Sequence, residues 1–169
     1  MALVEFALVL PLVLLLLFGM IDFGKAFNYW NDETHLSNEA SRAAAVNRCP
    51  DCGGAKINTW IKDRADSGEL KNGSNSISPP GLDVCIWFPD NSNPSDDPAR
   101  DHAKGDPVEV VVSAKYNWLG YLVGRGVSPQ SVITSRSRMR IEKAYNANGS
   151  DAYNTGPLSA QVPDASGTC

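Results

Sequence analysis

The feature that most constrains this chain is an uncharged apolar run near its N-terminus, residues 6–21. Apart from Pro11 and Gly19, every residue in the run is alanine or a large apolar residue. As an α-helix, the run spans about 24 Å, slightly less than the roughly 30 Å hydrocarbon core of a bilayer. The run therefore predicts a helix that crosses a membrane marginally or packs against other chains, because it is not stable when left in water.

The residues around the run do not fit a secretory signal peptide. Such a peptide carries Lys or Arg before its apolar run and a small-x-small cleavage site after it. No basic residue precedes Lys25, and residues 22–30 are mostly bulky and continue a helical pattern. An ordinary membrane anchor leaves Glu5 unexplained, since a carboxylate at the edge of an apolar helix is costly unless it is paired. Its nearness to a helix N-terminus offsets part of that cost.

One helix is predicted to continue past the apolar run, from about residue 2 to about residue 47. In its second half, apolar and small residues recur at three- and four-residue spacing, with charged residues on the other side. The apolar set is Phe23, Ala26, Phe27, Trp30, Leu36, Ala40, Ala43 and Ala44, and the charged set is Asp32, Glu33, Glu39 and Arg42. We expect the first half to pack in lipid or against other chains and the second half to pack on its own domain.

The rest of the chain predicts a small α+β domain. A second helix is expected at about residues 55–66, followed by a loop rich in Gly, Ser and Asn at residues 67–80. Alternating apolar residues predict three strands, through Leu82, Val84, Ile86 and Phe88, through Val108, Val110, Val112, Ala114 and Tyr116, and more weakly through Ile133, Met139 and Ile141. The expected fold is α+β, in which a long N-terminal helix with an apolar first half is followed by a short second helix. A three-stranded antiparallel sheet packs on the C-terminal half of the long helix.

The N-terminal sequence resembles the TadE-like pilins and pseudopilins of the type IV (tight-adherence) pilin superfamily. The resemblance is carried by residues 2–7, by Pro11 and by residues 19–24, and more weakly by residues 108–142. In that family a prepilin peptidase cuts after a glycine in a short basic leader, and the fifth residue of the mature chain is a glutamate. The resemblance implies that Glu5 is that glutamate and that the chain is numbered from its mature end. Met1 is then either the mature residue or a start codon in place of a leader.

The resemblance implies a structural subunit of an extracellular Tad-type, type IV-like pilus, transiently anchored in the cytoplasmic membrane. Met1, Glu5, Phe6 and Pro11 would be its assembly residues, and the amino group of residue 1 of a neighbour would neutralise Glu5. The implied partners are identical or related pilin subunits, the prepilin peptidase, the pilus assembly machinery and, before assembly, the membrane. The alternative is a membrane-anchored minor pseudopilin that primes or assists a filament of another subunit. A third hypothesis is an anchored enzyme or metal module.

Four segments are expected along the chain. They are an apolar core helix at 1–24, its amphipathic continuation at 25–48, a globular domain at 49–145 and an extended tail at 146–169. Four cysteines in an exported chain predict two disulfides. We expect Cys49 to pair with Cys52 at the helix end and Cys85 to pair with Cys169, which would tie down the tail. In the chain-entropy model, the longer loop closure contributes roughly 4 to 5 kcal/mol.

Two stretches, one containing Cys49 and Cys52 and one rich in acidic residues, could instead bind a metal ion. The Cys49 and Cys52 pair has zinc-knuckle spacing, but a closed site needs four ligands and both histidines are isolated. The loop at residues 90–97 is rich in Asp and Asn and could bind calcium, yet it lacks the glycine and glutamate of an EF-hand. A solvated turn is the preferred interpretation, and we expect no metal, no cofactor and no catalytic constellation.

The remaining polar motifs are expected to be surface features. Arg136, Arg138 and Arg140 share one strand face, for which pairing across the sheet to Glu109 is preferred over a phosphate-binding row. A net charge of −4 gives no basic field to attract nucleic acid. Two sequons, at Asn72 and Asn148, are candidate glycosylation sites.

Overall fold

The computed structural model describes residues 2–46, 57–87, 89, 104–124 and 126–142. A single long helix, α1 (Ala2–Ala45), is followed by a small α+β domain. The remaining elements are α2 (Ile57–Arg64), α3 (Gly68–Asn72), β1 (Asp83–Trp87), β2 (Pro107–Asn117), α4 (Gly120–Val123) and β3 (Gln130–Arg140). The predicted long helix is confirmed, and it ends within two residues of its expected C-terminal end.

The three strands form one antiparallel sheet in the order β1-β2-β3, as predicted. Val110 of the central strand lies opposite Ile86 of β1 and Ser137 of β3, which fixes the register of both pairs. Because side chains alternate along a strand, this register gathers one apolar face from all three strands. The predicted apolar residues of β2, from Val108 to Tyr116 in steps of two, are all buried on that face.

The second half of α1 packs on β2 and β3, and α2 packs beside it. The short helix was predicted over a slightly longer range, and its expected apolar face of Ile57, Trp60 and Ile61 is buried. Two further short helices were not predicted. α3 lies inside the stretch expected to be a loop, where the side chain of Ser67 accepts a hydrogen bond from the Glu69 N–H and caps it. α4 occupies the connection between β2 and β3.

The face of α1 that meets the sheet agrees with the prediction in part, since Ala26, Leu36, Ala40, Ala43 and Ala44 are buried as expected. Phe23, Phe27 and Trp30, expected against the domain, are 64, 57 and 48% exposed, whereas Glu33, expected on the outer side, is fully buried. The buried face follows small and polar residues instead, namely Asp22, Ala26, Tyr29, Glu33, Leu36, Ser37, Ala40, Ser41 and the alanines at 43–45. Small side chains let the helix axis approach the sheet closely, so three bulky aromatic residues are displaced to its flank.

Candidate functional site

The first half of α1 projects from the domain and is exposed on all sides. An 18-residue window of this helix has a mean hydropathy of 2.6, and none of that window is buried within the protein. In length and composition, α1 is the one helix among the described residues that could cross a membrane. Leucines and valines along it, such as Leu3 and Leu15, are exposed, and nothing in the described part of the chain covers them. An exposed apolar surface of this size requires lipid or protein to cover it.

The predicted assembly residues lie at the free end of this helix. Glu5 is exposed in the first turn of α1, where the helix N-terminus favours a negative charge. Phe6 beside it is exposed to solvent, and Pro11 lies inside the helix, one turn and a half further on. Met1 lies outside the described residues. Among the described residues, no side chain forms an ion pair with Glu5, and the exposed carboxylate is accessible to another molecule.

A buried carboxylate, Asp22, joins the helix to the domain at the end of the apolar run. It is 2% exposed and accepts hydrogen bonds from Tyr116 Oη at 2.6 Å and from the backbone N–H of Leu119 at 2.8 Å. Tyr116 Oη also approaches the Asp22 carbonyl oxygen, at 3.1 Å. Burial and the bond to Asp22 raise the pKa of the Tyr116 phenol above its usual range. We call Asp22 and its two partners, Tyr116 and Leu119, the Asp22 latch. These hydrogen bonds fix where the exposed helix leaves the domain.

One turn further along, Lys25 and Tyr29 connect α1 to α3. Lys25 Nζ lies 3.4 Å from a carboxylate oxygen of Glu69 and donates to Ser76 Oγ at 3.1 Å, while Tyr29 Oη donates to Glu69. Burial acts to raise the pKa of Glu69, but the bond from Tyr29 and the charge of Lys25 hold it below its usual value. The Tyr29 and Tyr116 rings are 5.9 Å apart, so this cluster adjoins the Asp22 latch.

The rest of the helix–sheet contact includes two serine pairs. Ser37 and Ser135 hydroxyls are 3.0 Å apart, and Ser41 and Ser137 hydroxyls are 2.8 Å apart. The four side chains are small, and each pair links α1 directly to β3. The serines therefore combine close approach with satisfied hydrogen bonds, and they set the axial position of α1 on the sheet.

Glu33 is the exception on this buried face. It is fully buried, and neither carboxylate oxygen has a hydrogen-bond partner among the described residues. Burial, with a smaller contribution from the charge of Asp32, raises the pKa of Glu33 to about 9. The side chain is therefore protonated at neutral pH, which avoids a buried charge but leaves a polar group without a partner.

Residues 1–45 match the family model described as TadE-like protein. The N-terminal helix is TadE-like. The matched segment covers the exposed half of α1 together with the half that packs on the sheet, and the predicted resemblance to the pilin-related TadE family is confirmed over that segment. No curated protein and no solved structure matches the chain significantly.

The remaining predicted residues within the described ranges are the arginines of β3, Asn72 and Cys85. The arginines at 136, 138 and 140 are exposed on the sheet face away from α1, and Arg136 Nη1 lies 4.0 Å from Glu109 Oε1, in agreement with the preferred interpretation. Asn72 is exposed at the end of α3, and its glycosylation stays a prediction. Cys85 is buried in β1 and is not a free thiol.

Several predictions fall outside the described residues. These are the cysteines Cys49, Cys52 and Cys169, the sequon at Asn148, the acidic loop at 90–97 and the tail at 146–169. The two disulfide pairings, the zinc alternative and the calcium alternative therefore stay predictions. Within the described ranges, no three His, Cys, Asp or Glu side chains are grouped so as to hold a metal ion.

Proposed function

We propose that this protein is a structural, non-catalytic subunit of an extracellular Tad-type, type IV-like pilus that assembles through its apolar N-terminal helix. The observation that supports the proposal most is the contrast within α1. Its TadE-like first half is apolar and unburied, while its second half is bound to a folded domain. A helix of this kind needs a partner that can cover an apolar surface on all sides.

The proposed mechanism is an exchange of lipid contacts for contacts between helices. Before assembly, the apolar half lies in the cytoplasmic membrane, which its length and hydropathy permit. During assembly, the same surface packs against the apolar halves of identical or related subunits. The folded domain moves with the helix because the Asp22 latch and the serine pairs hold the two together.

Glu5 would supply the axial register of this assembly. Leucine and valine surfaces pack in many offsets with similar energy, whereas a buried carboxylate is tolerated only where a cation meets it. We assign that cation to the amino group of residue 1 of a neighbouring subunit. Glu5 is exposed and forms no ion pair with the residues that the structure describes, which leaves it accessible to such a neighbour.

The second candidate function is a membrane-anchored minor pseudopilin that primes a filament made of another subunit. It is supported by the TadE-like match over residues 1–45, because the family that the chain resembles includes pseudopilins as well as pilins. The two functions differ in how many copies of this chain a filament contains. Purified native filaments should therefore be imaged by electron microscopy, and their subunits counted by quantitative mass spectrometry. A structural subunit is expected to account for most of the filament mass, and a priming subunit for a small fraction of it.

A further inference from the structure

The exposed large apolar residues of the domain are concentrated in one place. Among described residues from Ile57 onward, they are Tyr121, Leu122, Val123, Val127 and Val132. The first four belong to the connection between β2 and β3, and we call Tyr121, Leu122, Val123 and Val127 the loop patch. Leu122, Val123 and Val127 are 51, 53 and 80% exposed. Exposed apolar residues are normally scattered singly over a soluble domain, so their concentration here indicates a contact surface.

The loop patch lies level with the C-terminal end of the apolar run. The N–H of Leu119, one residue before α4, donates to Asp22 Oδ2 at 2.8 Å. Tyr121 Oη donates to the backbone carbonyl oxygen of Phe18 at 3.4 Å, and Lys25 Nζ lies 5.9 Å from the centre of the Tyr121 ring. These contacts place the patch beside residues 18–25 of α1, where the helix leaves the domain.

The position of the loop patch is fixed by local backbone contacts. Leu119 has a φ of 54°, in the left-handed region that side chains rarely adopt, and its bond to Asp22 stabilises that turn. Gly120 packs directly on the carbonyl oxygen of Asn75, with no room for a Cβ atom. Ser128 Oγ donates to the carbonyl oxygen of Gly124 at 3.1 Å and closes the turn. The apolar residues are therefore held outward next to the helix.

The length of the apolar run shows what would cover this patch. Residues 6–21 span about 24 Å, which is shorter than the roughly 30 Å hydrocarbon core. The exposed apolar surface of α1 continues through Phe23 and Phe27, and residues 6–27, which include the buried Asp22 and the ion-paired Lys25, span about 33 Å. If lipid covers that whole length, the membrane boundary falls beyond Phe18 and Asp22, at or above the level of the loop patch.

The charge around the patch is also compatible with a bilayer surface. Lys25 Nζ lies over the Tyr121 ring and pairs with Glu69, and the Asp22 carboxylate behind the patch is buried and hydrogen-bonded. Basic residues near a membrane are attracted to anionic headgroups, and tyrosine is favoured at the interface. Among the described residues, the patch thus adjoins an aromatic ring and a lysine, and both neighbouring carboxylates are engaged by hydrogen bonds.

We propose that the loop patch is a second membrane contact, which inserts into the outer surface of the bilayer and seats the domain on it while α1 spans the membrane. The inference rests on the proposed function in one respect, since it needs α1 to be inserted before assembly. The partner is lipid, and a second copy of this chain is the competing occupant. This contact would fix how deeply α1 lies in the bilayer. An apolar run shorter than the hydrocarbon core does not fix that depth by itself.

Photocrosslinking in lipid vesicles tests this contact. The full chain would be reconstituted in vesicles of phosphatidylethanolamine and phosphatidylglycerol, with benzoylphenylalanine introduced in place of Val127. Leu14, in the middle of the apolar run, is the site for the positive control. Lys104, exposed beside the opposite end of β2, is the site for the matched negative control. After irradiation, lipid adducts at each position are measured by mass spectrometry.

We expect lipid adducts at Leu14 and at position 127, with the yield at position 127 at least about tenfold above that at Lys104, because burial in lipid of even one of the remaining patch side chains, Leu122 or Val123, favours the inserted state by about that ratio. Adducts at Leu14 but not at Val127 would overturn the second contact and leave the membrane anchor intact. A protein–protein adduct at Val127 would identify a second copy as the occupant and would also overturn the proposal. Absence of adducts at Leu14 would reject the anchor and the loop contact together.

Discussion

The two halves of α1 form one continuous helix but meet their surroundings in opposite ways. Residues 2–21 are apolar on all sides and unburied, whereas from Asp22 onward one face is covered by the sheet. The second half contacts its own domain through close packing and paired hydroxyls, while the first half has no packing partner among the described residues. The same helix is therefore stabilised by its own domain in one half and exposes an apolar surface to other molecules in the other half.

The chemistry of the two halves follows the same division. The domain-bound half buries Asp22, Ser37 and Ser41, whose hydrogen bonds define a single position on the sheet. The free half has only Glu5 as a charged group, at its far end. The position of the domain-bound half is therefore fixed by several residues, whereas the register of the free half would depend on Glu5 alone. Substitutions in the domain-bound half should lower the stability of the domain, and substitution of Glu5 should impair assembly.

Replacement of Glu5 should give the largest effect, and only in assembly. Glu5→Ala would leave the neighbour's amino group buried without its counter-charge, at a cost of several kcal/mol, so it should reduce filament number by roughly a hundredfold or more. Glu5→Gln should be nearly as defective, because it keeps the shape and loses the charge. Filaments are counted by electron microscopy on cells that express each variant.

The control for this experiment is Glu39→Gln, a charge removal in the domain-bound half of the same helix. It should leave filament number unchanged, and thermal unfolding of the domain should be the same for the Glu5 variants and the original chain. Normal filament numbers from Glu5→Ala would remove the register role of this residue. They would fit a simple anchor, in which loss of a charge at the apolar edge is neutral or favourable.

Replacement of Glu33 should have the largest effect on the stability of the domain. Its pKa is about 9 in the folded protein against an ordinary 4.5, so the folded state binds a proton that the unfolded state releases. Stability from this group is fully present below pH 4.5 and is lost as the pH rises towards 9. Glu33→Leu should raise the free energy of unfolding by about 3 kcal/mol at pH 7.

The gain from Glu33→Leu should shrink as the pH falls towards 4.5, where the original carboxyl is protonated in both states. Denaturant unfolding of the full chain in detergent, measured from pH 4.5 to pH 9, gives the comparison. A stability difference that does not change with pH would contradict a neutral buried Glu33. Filament number should be unaffected at neutral pH, since the residue lies in the domain-bound half.

Loss of the Asp22 latch should have a smaller destabilising effect. Asp22→Asn weakens two hydrogen bonds to a charged acceptor, and Tyr116→Phe removes one of them, so we expect losses of about 2 and 1 kcal/mol. The melting temperature of the domain reports both. Because the two residues share a bond, the double variant should lose less than the sum of the single variants. Strict additivity would show that the bond between Tyr116 and Asp22 contributes nothing.

Part of this architecture could be predicted from residue spacing, and part could not. The 44-residue helix and the three strands follow from periodicity, and the central strand was predicted residue by residue from Val108 to Tyr116. The face of α1 was predicted correctly at Leu36 and its alanines but wrongly at its aromatic residues, since hydrophobicity favours Phe23 and Phe27 as core, whereas close packing on a sheet favours alanine and serine. The short helices α3 and α4 are fixed by contacts distant in sequence.

The junction residues were missed for a related reason. Asp22 ends an apolar run, where a charged residue is usually solvated, and only the fold brings Tyr116 and Leu119 to it from about a hundred residues away. Glu33 follows the spacing of the buried face, but an acidic residue is rarely buried without a partner. The residue type therefore favoured an exposed position, and the prediction was wrong. Glu5, in contrast, could be identified because its function depends on its place in the sequence.

The surface ion pair between Glu39 and Arg64 should give the smallest effect. Arg64 Nη1 lies 2.6 Å from Glu39 Oε1, yet both side chains are about two-fifths exposed. Exposed pairs of this kind contribute less than about 1 kcal/mol, because water and salt screen them. Glu39→Ala should therefore change the melting temperature by at most a few degrees, and a larger change would mean that this pair shapes the packing of α2 on α1.

The most direct test of the account is a cryo-electron microscopy structure of the assembled filament. We predict that the first half of α1 forms the contacts between subunits, with Glu5 next to residue 1 of a neighbour. The bonds of Asp22 to Tyr116 and of Ser37 to Ser135 should be unchanged within each subunit. A filament held together by its domains, with residues 2–21 outside the core or α1 detached from the sheet, would contradict the division of this helix into an assembly half and a domain-bound half.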